Sequence, residues 1–111
     1  MVTEKGHGYN MIKHLVMWKL KDFAGGATKT VNALKMKELL ESLKNKISMI
    51  KDIEVGINVI NTDASADVVL YSEFKNMDDL NAYQKHPEHE KVVSFIKEVV
   101  IERRVVDYEV L

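Results

Sequence analysis

Three protonatable side chains interrupt otherwise apolar patterns in this chain: His14, Tyr83 and His89. A half-buried imidazole titrates near neutral pH and can act as a general base or acid. A tyrosine hydroxyl can donate to a carbonyl oxygen and hold it. Together the three suit the removal of a proton next to a carbonyl group, chemistry that needs neither a metal nor a cofactor. Other chemistries find less support. The chain has no cysteine, which rules out a thiol nucleophile, a disulfide framework and any Cys-ligated zinc or iron–sulfur centre. There is no glycine-rich phosphate loop and no nucleophile elbow. No close His/Asp/Glu spacing on one face supports a metal site. The expectation is a catalytic trio of His14, Tyr83 and His89 with no cofactor and no metal.

Each residue also has an ordinary role to weigh. His14 alone reads as a core histidine bonded to backbone. His86, directly before Pro87, reads as a helix cap or surface residue, and His89 as a cap of its own helix. Trp18 reads as core, Arg103-Arg104 as an exposed strand edge or an interface pair, and His7 as a solvated tail residue. The trio is more suggestive than any one member.

The elements that must position these residues follow from periodicity. Ile12 to Leu20 is rich in β-branched and large apolar side chains and reads as a strand. Alternation places His14, Val16, Trp18 and Leu20 on one face and Lys13, Leu15, Met17 and Lys19 on the other. Lys21 to Gly26 breaks the strand. Thr28 to Lys46 reads as an amphipathic helix with Val31, Leu34, Met36, Leu39, Leu40, Leu43 and Ile47 inward and lysines and glutamates outward. Ile50 to Ile60 alternates through Ile53, Val55, Ile57 and Val59, and Asp67 to Phe74 follows a short polar loop, so the two form an antiparallel hairpin.

Asn76 caps a helix with Asp78 and Asp79 in its first turn. That helix must end before Pro87, which opens a second helix from about Glu88 to Val100. Leu80 and Tyr83 share the inward face of the first. His89 leads the apolar stripe Val92/Val93, Ile96 and Val99/Val100 of the second. The break at Pro87 turns the chain so that Tyr83 and His89 can meet near one point. Arg103 to Val110 is the final strand.

The order strand, helix, strand, strand, broken helix, strand predicts an α+β fold: a ferredoxin-like four-stranded antiparallel sheet with helices on one face. The other face is also apolar, through the first strand and through Val69 and Tyr71, and needs a cover. A second copy supplies one, so the expected partner is a homodimer formed sheet against sheet through the open face.

Size and charge bound the rest. The chain has 111 residues, 46% hydrophobic and 30% charged, with a net charge of −1. That supports one domain, expected over residues 11–111 behind a polar tail of residues 1–10. Balanced charge argues against a nucleic-acid partner. No apolar run approaches the ~20 residues of a membrane span, and the start lacks the apolar middle of a secretory signal. The expected location is the cytoplasm.

At these same residues the chain resembles the stress-responsive A/B barrel domain family, also called dimeric α/β-barrel or Dabb proteins. The pieces that carry the resemblance are Ile12-Lys13-His14, Val55-Gly56-Ile57-Asn58, Asp79-Leu80-x-x-Tyr83-x-x-His86-Pro87-x-His89, Val93-x-Phe95-Ile96 and Val106-Asp107-Tyr108. They span roughly Met11 to Leu111, and the His-Pro-x-His block with its upstream tyrosine is the most specific. The resemblance implies the ferredoxin-like fold and the sheet-to-sheet dimer, without implying a single activity. By likeness to the plant polyketide-cyclase branch, His89 would be the base, Tyr83 would hold a thioester carbonyl and His14 would orient the substrate. The pocket lining does not visibly follow that branch. The expected function is a stress-responsive dimer of unassigned activity with a His/Tyr-lined pocket for a small apolar or carbonyl ligand. The alternatives are a cofactor-free cyclase-like or monooxygenase-like enzyme, and a non-enzymatic dimer acting through assembly or protein contact.

Overall fold

A computed structural model describes residues 11–110. The tail expected at residues 1–10, with His7, lies outside the described residues. In chain order the elements are β1 (Ile12–Leu20), β2 (Phe23–Ala24), β3 (Ala27–Thr28), α1 (Lys29–Ser42), a 3-10 turn (Leu43–Asn45), β4 (Asp52–Ile57), β5 (Val68–Phe74), α2 (Met77–Lys85), α3 (Pro87–Val99) and β6 (Val100–Glu109). Four strands form one antiparallel sheet in the order β4-β5-β1-β6. This is the ferredoxin-like α+β plan predicted from the sequence.

β1 sits inside the sheet and follows its alternation closely. Ile12, His14, Val16, Trp18 and Leu20 are all buried beneath the helices. They pack with Val55, Val68, Leu70 and Phe74 of the sheet and with Met36, Leu40, Leu80, Val92 and Ile96 of the helices. Lys13, Leu15, Met17 and Lys19 point to the opposite face, as alternation requires. No helix among the described residues is long and apolar enough to cross a membrane.

The structure corrects several boundaries. The segment after β1 is a small hairpin in its own right, with Phe23 opposite Thr28 and Ala24 opposite Ala27. Gly25 and Gly26 close it at φ +58° and +77°, a pair of left-handed positions that suits glycine. Asn32, buried on α1, donates its amide to the carbonyl oxygens of Ala24 (3.1 Å) and Ala27 (3.4 Å). That anchor sets the rotation of α1. The inward stripe is Asn32, Ala33, Met36 and Leu40, continued by Leu43 and Ile47, while Val31 and Leu34 face solvent. The first strand of the expected hairpin pair ends at Ile57, and Val59 and Ile60 are exposed beyond it. α3 passes directly into β6 at Val100, three residues before the start read from the sequence.

Candidate functional site

A cavity of about 530 Å³ lies between the sheet and the helices, lined among others by His14, Val16, Trp18, Tyr83, His89 and Ile96. Three separate elements bring the predicted trio to it. β1 supplies His14. α2 supplies Tyr83, three residues after Leu80 on the inward face. α3 supplies His89, on the second residue after Pro87. The Tyr83 ring centroid lies 4.4 Å from that of His89 and 6.2 Å from that of His14.

The turn between α2 and α3 is built by two histidines with different tasks. His86 takes the capping role: its Nδ1 accepts from the Glu88 backbone N–H at 3.1 Å. His89 is therefore not the cap. Its Nδ1 lies 3.2 Å from the carbonyl oxygen of Gln84, to which it donates. That bond ties α3 to α2 and leaves Nε2 as the nitrogen carrying a lone pair. Burial holds the His89 pKa below the ordinary histidine value, with the charges of His14 and Arg103 acting in the same direction and the Gln84 carbonyl opposing them. The ring is neutral at pH 7, the form a general base requires.

This shift has a measurable consequence. The unfolded chain binds the His89 proton more readily than the folded one. The contribution of neutral His89 to stability is therefore complete above the ordinary value of 6.5 and is lost as pH falls below it. Between pH 7 and 5 the wild type should lose more stability than a His89→Asn variant, measured by denaturant unfolding at each pH. Parallel curves would show that His89 titrates alike in both states.

Tyr83 is fully buried, packed at 4.9 Å against Phe74, and its hydroxyl has no hydrogen-bond partner among the described residues. Burial pushes its pKa well above the usual tyrosine value, so the group is an O–H donor at neutral pH. The Nε1–H of Trp18, another residue of the cavity lining, is a second buried donor without a partner among the described residues. A buried donor left unpaired costs on the order of 1–3 kcal/mol. Trp18 is thus core, as expected, and part of the cavity wall as well.

His14 is bonded to a side chain instead of backbone. Its Nδ1 donates to Asp107 Oδ1 at 2.5 Å, directly across the β1–β6 pairing. Asp107 entered the sequence reading only as part of a motif. Its role depends on which β6 residue stands opposite His14, and pairing register is not legible from one strand alone. Lys97 and Arg103 at the cavity were likewise missed. Both are exposed, and Arg103-Arg104 does lie on an edge strand as expected. Among the described residues no group of three or more His, Cys, Asp or Glu is placed to hold a metal ion.

A four-stranded sheet, helices on one face and an apolar cavity between them with histidine and tyrosine in its wall define a ferredoxin-like protein with an internal cavity. The chain belongs to the stress responsive A/B barrel domain (Dabb) family, whose model matches residues 12–110. Among solved structures it is similar to a dimeric protein of unknown function with a ferredoxin-like fold from Bacteroides fragilis. That match has 42% identity and a TM-score of 0.80, and covers 90% of this chain and 96% of the other. A dimeric ferredoxin-like protein of unknown function from Thermobifida fusca matches at 20% identity and a TM-score of 0.78, over 91% of this chain and 92% of the other. The hydroxynitrile lyase of Passiflora edulis shares the fold at 12% identity and a TM-score of 0.77, over 93% and 95% of the two chains. No curated protein matches the sequence.

Proposed function

We propose that this chain acts as a homodimer whose cavity binds a small, mostly apolar carbonyl compound and moves a proton on it. The observation that carries this reading is the buried Tyr83, whose hydroxyl has no hydrogen-bond partner among the described residues and whose ring centroid lies 4.4 Å from that of His89. In the step proposed, Tyr83 O–H donates to the carbonyl oxygen. His89 Nε2 takes a proton from the neighbouring carbon, and the C–H electron pair passes to the oxygen as an enolate, which Tyr83 holds. Return of the proton from His89 to the carbon completes the cycle. His14, held by Asp107, orients the bound molecule. That the same scaffold carries an enzyme in the Passiflora edulis hydroxynitrile lyase shows that it can house chemistry.

The dimer part rests on the open face of the sheet. Leu15, Val69 and Tyr71 are half-buried there, and Met17, Val106 and Tyr108 are 39%, 51% and 41% exposed. Three polar groups of that face satisfy one another: Lys13 Nζ donates to Tyr71 (2.5 Å) and Glu73 (3.0 Å), and Tyr71 donates to Glu73. That cluster can be covered without leaving its own charges unpaired. A second copy is the occupant because the 42% identical relative is a dimer. The cysteine-free composition and the net charge of −1 suit the cytoplasm and a partner other than nucleic acid.

The proton transfer is testable before the natural substrate is known. In D₂O with octan-2-one as probe, the wild type should speed deuterium entry beside the carbonyl by about 10²-fold or more over His89→Asn. The asparagine keeps an N–H for the Gln84 carbonyl and removes the base. Equal exchange with both proteins would sink the proton-transfer step.

A further inference from the structure

We infer that the ligand is an amphipathic carboxylic acid, with its apolar body and carbonyl inside the cavity and its carboxylate held by Arg103 and Lys97. This rests on the reading of the cavity as a ligand site and adds the charge of what enters it. The cavity lining contains no aspartate or glutamate and two cations, Lys97 on α3 and Arg103 on β6. Neither cation has a carboxylate partner among the described residues. Of the two acids on the same strand and the same side of the sheet as Arg103, Asp107 is committed to His14 and Glu109 stands opposite Ile12, six residues along the strand.

The placement of Arg103 is specific. It stands opposite Trp18 in the β1–β6 register, on the helix side of an edge strand, and both residues belong to the cavity lining. The charge of Arg103 also reaches inward, where it favours the ionised form of Tyr83 and the neutral form of His89. The charged inventory is therefore one-sided. Trp18 Nε1, Lys97 and Arg103 can only donate and Tyr83 has its O–H to give, while the acceptors of the lining, His89 Nε2 and the Gln84 amide oxygen, carry no negative charge. Between them lie Val16, Leu40, Leu70, Val93, Ile96 and Val100. Such a lining asks for acceptors and a negative charge at the ends of a hydrocarbon body. A carboxylate also matches the planar fork of a guanidinium.

The test is a matched pair of probes, octanoate and its neutral amide octanamide, titrated calorimetrically into the full-length protein. Emission of Trp18, the single tryptophan, serves as a second readout. Octanoate should bind about tenfold tighter than octanamide, and added salt should shrink the difference. Arg103→Gln should remove most of that preference and leave octanamide binding unchanged, with Lys97→Gln giving a smaller loss. If octanamide binds as tightly as octanoate, the charge inference fails and the cavity reading stands. If Arg103→Gln weakens both probes equally, Arg103 shapes the wall without reading charge, and the inference fails too. If neither probe produces heat or changes Trp18 emission, the cavity reading and the inference fall together.

Discussion

Tyr83→Phe should cut carbonyl-directed activity by about 10²–10³-fold while leaving the fold at least as stable as the wild type. Most mutations in a core cost stability, so the pairing of these two outcomes is diagnostic. The ring of Tyr83 is fully buried and packs on Phe74 and His89 at 4.9 and 4.4 Å, contacts that phenylalanine reproduces. What disappears is the hydroxyl, which is desolvated and has no partner among the described residues. Its removal relieves a penalty on the order of 1 kcal/mol, worth roughly 4–8 °C in melting temperature for a domain of this size. The same removal deprives a bound carbonyl of its donor. Melting curves and the deuterium-exchange assay read the two effects separately. A Tyr83→Phe protein that melts lower and exchanges normally would make the hydroxyl a structural group and remove it from the proposed site.

Val106→Arg should convert the proposed dimer into a monomer. Val106 lies opposite Leu15 on the open face, away from the helices and the cavity, and is 51% exposed in the single chain. The protomer tolerates a charge there because water reaches it. A two-fold interface would have to bury two copies of that charge, and removing an ion from water costs several kcal/mol even after relaxation. Sedimentation at micromolar concentration should give a dimer for the wild type and a monomer for the variant, with similar circular dichroism. A wild type that sediments as a monomer would end the dimer proposal. A variant that stays dimeric would move the interface to another surface.

How far the sequence reaches is seen best on β1. Its strict alternation placed His14, Val16, Trp18 and Leu20 on one face, and all four are buried together. Pro87 likewise marked the break that lets Tyr83 and His89 meet, because a proline cannot continue the helix before it. Both inferences use local sterics, which a sequence carries in full. α1 was read less well, because Val31 and Leu34 fit a helical stripe as well as Ala33 and Met36 do. The choice between arcs was made by Asn32 reaching for the carbonyl oxygens of the Gly25-Gly26 hairpin, a contact that no periodicity encodes. The same applies to Asp107 and Arg103. Each gains its meaning from the residue opposite it in β1, and pairing register emerges only when the sheet assembles.

The bond between His14 and Asp107 spans 93 residues of chain. Of the described elements β1 is made first, and it must lie between β5 and β6, the latter the last described strand to be made. Until β6 arrives, one long edge of β1 and the imidazole of His14 have nothing to pair with. Closing so large a loop is entropically slow, and contacts of this separation form late in folding. The cavity wall and the sheet are completed by the same event, so a nascent chain carries no working fragment of the site.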